Sequence, residues 1–170
     1  LLVLATTAGP DEHDSTRRVL ESTLTTLEAA ARGANPNGSE FAELIKKSPS
    51  GAAGVVSWVG SAMGDSEHYR QVHAGASNAV YLGMLSAVAG AQARLRESVL
   101  EVVTETLTAM GKGSSEELHH AALDVAVELV ELGLVLPTLE AAANQWERHI
   151  DPSHMRYFIG EVLEVAGSPY

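Results

Sequence analysis

The chain has 170 residues, no cysteine, and twenty-two acidic against eleven basic side chains, for a net charge of −11. That length lets one domain bury roughly 70% of the surface its unfolded chain exposes, so a core needs no covalent staple. Without cysteine there are no disulfides and no thiolate metal or redox chemistry, and a field of this sign repels phosphate backbones.

The opening run Leu1-Leu2-Val3-Leu4-Ala5 is too short to span a membrane and lacks a basic flank, so it reads as the end of a helix rather than as a leader. From Ser15 to Arg32, the spacing of Leu20, Leu24, Leu27 and Ala31 predicts a helix with one apolar face. The clusters Ala8-Gly9-Pro10-Asp11, Gly33-Ala34-Asn35-Pro36-Asn37-Gly38 and Gly111-Lys112-Gly113 punctuate the chain. Asn37-Gly38-Ser39 matches a glycosylation acceptor, but with no secretory signal it reads as a turn with Ser39 as the N-cap of the next helix. Gly51-Ala52-Ala53-Gly54 opens an apolar helix carrying Trp58 and is not followed by Lys-Ser/Thr, so close helix packing explains it better than a phosphate loop.

Arg94 to Met110 places Leu95, Val99, Val102, Val103, Leu107 and Met110 inward and Arg96, Glu97, Glu101 and Glu105 outward. The row Glu97, Glu101, Glu105 repels itself at i, i+4, i+8 and reads as a solvated face, with a basic partner surface as the functional alternative. From Ser114 to Leu132 there are two apolar stripes: Leu118, Ala122, Val125, Leu129, Leu132 and then Leu123, Val127, Val130, Leu134. Such a helix is packed on two sides. Ser114-x-x-Glu117 is a capping-box signature, and Gly133 supplies a left-handed C-cap. Pro137 suits the first turn of the following helix, which should carry Leu139, Ala143, Trp146 and Ile150 inward. Asp151-Pro152 caps and starts the last helix, with Met155, Phe158, Ile159, Val162, Leu163 and Ala166 as its expected inner face.

No run alternates in the manner of a strand, so residues 1–170 read as a single all-α domain of antiparallel helices. No strict internal repeat is visible. On periodicity alone a helical bundle and stacked helix pairs stand equal.

The seven histidines and many carboxylates invite a search for acid/base or metal chemistry. Glu117 with His120, at i, i+3, is the pair at ligand spacing, but a di-iron bundle needs a second Glu-x-x-His and two more inward glutamates, and Glu117 already serves the capping box. His149 and His154 straddle a proline and share no helix face. No Gly-x-Ser-x-Gly, Ser-x-x-Lys or glycine-rich phosphate loop occurs. The expectation is therefore no catalytic residue, no cofactor and no metal. Trp58, Trp146 and Phe158 fall on apolar stripes and read as core. Arg156, beside Tyr157, reads first as half of an ion pair locking neighbouring helices, and second as a contact to another protein of an assembly.

The segment Gly133-Leu134-Val135-Leu136-Pro137, followed by Arg156-Tyr157-Phe158-Ile159-Gly160-Glu161-Val162-Leu163-Glu164 and closing on Pro169-Tyr170, resembles the C-terminal part of the negative elongation factor C/D family, the TH1 proteins. Three stretches agree in the same order: Gly54-Val55-Val56-Ser57-Trp58-Val59, Glu67-His68-Tyr69-Arg70-Gln71-Val72 and Tyr81-Leu82-Gly83-Met84-Leu85. The first 30 or so residues follow the family only in helical character, and the chain is richer in alanine and glycine than animal members.

That resemblance implies a C-terminal piece of a longer, non-enzymatic nuclear scaffold. Its helices would form irregular HEAT-like pairs in a right-handed stack. Its partners would be the other negative elongation factor subunits and RNA polymerase II, which the complex helps to pause, with no membrane association. Gly133, Pro137, Arg156, Tyr157, Phe158, Glu161, Pro169 and Tyr170 are the signature and candidate interface residues, and Glu97, Glu101 and Glu105 the candidate acidic partner surface. The family is associated with RNA binding in its complex, but this chain's charge and lack of a basic stripe imply weak or no direct RNA contact. The alternative is an unrelated HEAT-like adaptor in another assembly.

Overall fold

The computed structural model describes residues 14–15, 17–19, 22, 38–64, 76–110 and 116–167. All secondary structure among them is helical. The chain divides into two compact units, Leu1–Leu95 and Arg96–Tyr170. No helix among the described residues is long and apolar enough to cross a membrane.

In the first unit, α1 (Gly38–Lys47), α2 (Pro49–Gly64) and α3 (Ala76–Ala91) pack on one another, and a 3-10 turn follows at Ala93–Leu95. α1 buries Phe41 and Ile45, four residues apart, and turns the Lys46–Glu43 pair to solvent. Ser48 is the hinge between α1 and α2. Its hydroxyl accepts the Gly51 N–H at 3.2 Å, capping the first turn of α2, and receives a hydrogen bond from Ser15 at 3.3 Å. Gly51 is required there: a Cβ would lie 2.8 Å from Ser48 Oγ and 3.0 Å from Val19. The close-packing expectation thus holds at Gly51, while at Gly54 a Cβ would meet nothing within 4 Å among the described residues. Gln92, just past α3, donates to the Ile45 carbonyl at 2.8 Å and the Lys46 carbonyl at 3.3 Å, satisfying acceptors that the end of α1 leaves open. Trp58 is half-buried rather than core, packed edge to face against the buried Tyr81 at 5.6 Å.

Helix α1 already includes Gly38, so Ser39 lies in its first turn rather than at its N-cap. The inward residues expected between 20 and 31 lie outside the described residues, as do Ser114 of the capping box, the Glu117 side chain, Pro169 and Tyr170.

The second unit contains α4 (Arg96–Met110), α5 (Glu116–Glu131), α6 (Val135–Asn144), a 3-10 turn at Trp146–Arg148, and α7 (Pro152–Gly167). α5 packs against α4, α6 and α7, as its two apolar stripes require. It buries Leu118, Ala122, Leu123, Val125, Ala126, Leu129 and Val130. At its end Gly133 takes φ 96°, its N–H reaches the Val130 carbonyl at 2.9 Å, and the Leu134 N–H reaches the Leu129 carbonyl at 2.8 Å. This is a Schellman closure, and glycine provides it without a Cβ clash. Arg96, expected outside, instead donates to the Leu132 carbonyl at 2.7 Å, placing a cation at the negative end of the α5 dipole.

Two apolar faces are narrower than their periodicity suggests. α6 buries Thr138 and Ala142, whereas Leu139 is 38% exposed and Ala143 faces solvent. Thr138 fits the interior because its hydroxyl donates to the Leu134 carbonyl at 2.6 Å. α7 buries Phe158 and Val162, while Ile159 and Leu163 of the expected inner face are 47% and 65% exposed and Ala166 is also exposed. Trp146 and Ile150 are core as expected, and Trp146 meets Phe158 edge to face at 5.4 Å.

Candidate functional site

The N-terminus of α7 is fixed as its sequence dictates. Asp151 Oδ1 accepts the Ser153 N–H at 2.8 Å and the Ser153 hydroxyl at 2.5 Å, so the carboxylate caps the first turn ahead of Pro152. From this start α7 presents three stripes. Phe158 and Val162 enter the core. His154 and Tyr157 lie along the seam with α5, and Glu161 follows Tyr157 by one turn. Arg156, Ile159 and Leu163, at i, i+3, i+7, share the outward face.

The seam is polar. Tyr157 donates to Asp124 Oδ1 at 3.0 Å, and this hydrogen bond, with the nearby Asp124 and Glu161 charges, pushes the phenol above its ordinary range. One turn earlier the His120 ring packs against Tyr157 at 4.8 Å and against His154 at 4.7 Å. Glu116 completes the row: its Oε1 lies 4.0 Å from His120 Nε2 and 3.6 Å from His154 Nε2. Glu116, His120 and Asp124 recur every four residues on α5, and each faces the seam.

The signature residues therefore do different things. Gly133 is a helix terminator, Pro137 lies exposed in the first turn of α6, and Phe158 is core. Tyr157 belongs to the α5–α7 seam, with Glu161 one turn further along α7. Arg156 is exposed and forms no ion pair among the described residues, so no helix-locking bridge of the expected kind is seen among them; a guanidinium on an outward face can be hydrated without a protein partner. Glu97, Glu101 and Glu105 are all exposed on α4, the solvated face expected of them.

The Glu116–His120–His154 group escaped sequence reasoning. Ligand spacing within one helix singles out the i, i+3 pair Glu117–His120, whereas the residues that converge are the i, i+4 pair Glu116–His120 and His154 from a different helix. No local spacing announces a ligand supplied across a helix–helix seam.

Residues 5–170 match the family described as TH1 protein. The chain belongs to the TH1 protein family. This TH1 chain is also 27% identical over 169 residues to the mouse protein named negative elongation factor D, a match covering 95% of the chain and 28% of that relative. It thus spans less than a third of the relative's length. No solved structure matches it.

Proposed function

We propose that this TH1 chain is a non-catalytic helical segment of a negative elongation factor subunit. It acts in the nucleus by binding the factor's other subunits and RNA polymerase II, so helping to pause the polymerase early in elongation. The observation that carries this reading is the family match over residues 5–170, joined to the likeness to negative elongation factor D. An irregular HEAT-like pairing of the helices belongs to the same reading, and the family match removes the main reason to invoke an unrelated adaptor.

The second unit supplies a surface suited to a protein partner. α7 turns out Ile159 and Leu163 beside Arg156, and α6 turns out Val135, Leu136 and Leu139. Exposed large apolar side chains next to an arginine suit burial against a protein partner. The acidic row on α4 would meet a basic surface and set orientation and association rate more than affinity. A net charge of −11 argues against RNA as this segment's direct ligand.

Co-purification from nuclear extract tests this reading, with the wild-type chain compared against Arg156→Glu and an Ile159→Asp/Leu163→Asp double variant. Elongation-factor subunits or polymerase should copurify with the wild type and be depleted from both variants, while helical circular dichroism stays unchanged. Recovery of those proteins undiminished by either variant would remove α7 from the interface. Failure of the wild type and of the full-length protein alike to recover any of them would end the reading.

A further inference from the structure

We propose that Glu116, His120 and His154 form a binding site for a zinc-class divalent cation that ties the first turn of α5 to the first turn of α7. Their three ligand atoms all lie within 4.8 Å of one another. A tetrahedral zinc ion, with bonds near 2.0–2.1 Å, holds its donors about 3.3 Å apart. The Glu116 separations of 3.6 and 4.0 Å are already close to that value. The wider gap, up to 4.8 Å, is between the two imidazoles, and rotation of the partly exposed His120 closes it together with the 77% exposed Glu116, around a His154 that is only 12% exposed.

Two imidazoles and a carboxylate are the donor set of a three-ligand zinc centre, in which a fourth position is left for water or for a group from a partner. The pairing is also built on the fold. His120 follows Glu116 by one helical turn, so both project from the same face of α5, and Asp151 fixes the turn of α7 that carries His154.

Two features limit the affinity. Among the described residues, Nδ1 of His154 is buried without a hydrogen-bond partner, so none of them orients that ring in the manner usual for metal-ligating histidines. Both helices also direct their positive N-terminal ends toward this region, a field that opposes a cation. The negative charge of the chain works the other way. The balance describes an exchangeable site rather than a permanently occupied one, and it is independent of the chain's role in transcription.

The test is metal titration of the 170-residue chain after chelator treatment, using Zn2+ calorimetry and Co2+ absorption spectroscopy. One ion per chain should bind, Co2+ should give the intense visible bands of tetrahedral nitrogen–oxygen coordination, and saturating Zn2+ should raise Tm by about 5 °C. His120→Ala and Glu116→Gln should each weaken binding by roughly tenfold or more, with His149→Ala unchanged. Because Glu116 is at the surface, Glu116→Gln retains the fold and keeps the test decisive even if a histidine variant unfolds. Absence of binding at a large excess of metal, octahedral Co2+ spectra, or binding undiminished by Glu116→Gln and His120→Ala would each overturn the site.

Discussion

Trp146 Nε1 donates to Thr104 Oγ1 at 3.3 Å inside a core that leaves the tryptophan fully buried and the threonine 8% exposed. The bond joins the 3-10 turn before α7 to the middle of α4, and it allows the largest buried side chain of the second unit to carry a polar N–H into the interior. Thr104→Val keeps the shape but strips the acceptor, leaving a buried indole donor with nothing to bond. A loss of about 1–3 kcal/mol in urea unfolding is expected. Once Trp146→Phe has removed the donor, the same threonine change should cost much less. A double-mutant cycle that gives additive losses would show that the hydrogen bond contributes nothing.

Substitution of the two glycines near the start of α2 should have opposite effects. At Gly51 a methyl group would press on Ser48 Oγ and Val19, so Gly51→Ala is expected to destabilise by about 1–3 kcal/mol through overpacking and loss of the Ser48 cap. Gly54 has open space around it, and Gly54→Ala is expected to gain up to about 1 kcal/mol from reduced unfolded-chain entropy and better helix propensity. Equal midpoints for the two variants in chemical denaturation would contradict this.

Burial raises the Tyr81 phenol above its ordinary value of 10.0. The phenolate is thus disfavoured in the folded chain relative to the unfolded one. The corresponding stability is intact below pH 10 and is lost as the pH climbs from 10 through the folded-state value. Tyr81→Phe should remove one late-ionising tyrosine from the alkaline spectrophotometric titration and flatten the loss of stability above pH 10. If the variant instead lost a tyrosine that ionises at the ordinary value, burial would not be controlling this group.

On α7, Phe158→Ala should cost about 3–5 kcal/mol, since the ring is fully buried against Trp146. Leu163→Ala, at a residue 65% exposed, should change stability by about 0.5 kcal/mol or less. Thermal unfolding of the two variants side by side distinguishes this arrangement from the broad inner face that periodicity predicts, under which both would be severe.

The contrast on α7 marks the boundary of what the sequence makes legible. Signals settled by local backbone chemistry read correctly: Gly133 as a left-handed terminator, Asp151-Pro152 as a helix start, and the double stripe of α5 as a helix packed on more than one side. All-α character followed from the same kind of signal. The width of a buried face did not, because periodicity reports which residues share a side of a helix and not how much of that side a neighbour covers. Arg156 illustrates the same limit, since its environment depends on which stripe of α7 meets α5. The Glu116–His120–His154 group depends on register across that seam, which no spacing within one helix encodes.

The reversal at Gly133 also orders assembly in time. α5 and α6 meet across residues 132–134, a closure that freezes very little chain, whereas α7 reaches α5 only after residues 132–151 have found their places. Loop-closure entropy favours contacts of short sequence separation, so the α5–α6 turn is expected early in folding and the docking of α7 late. Lesions on the α7 face should accordingly hasten unfolding while leaving the refolding rate almost unchanged, and α7 should be the first helix of this unit to exchange its amide protons.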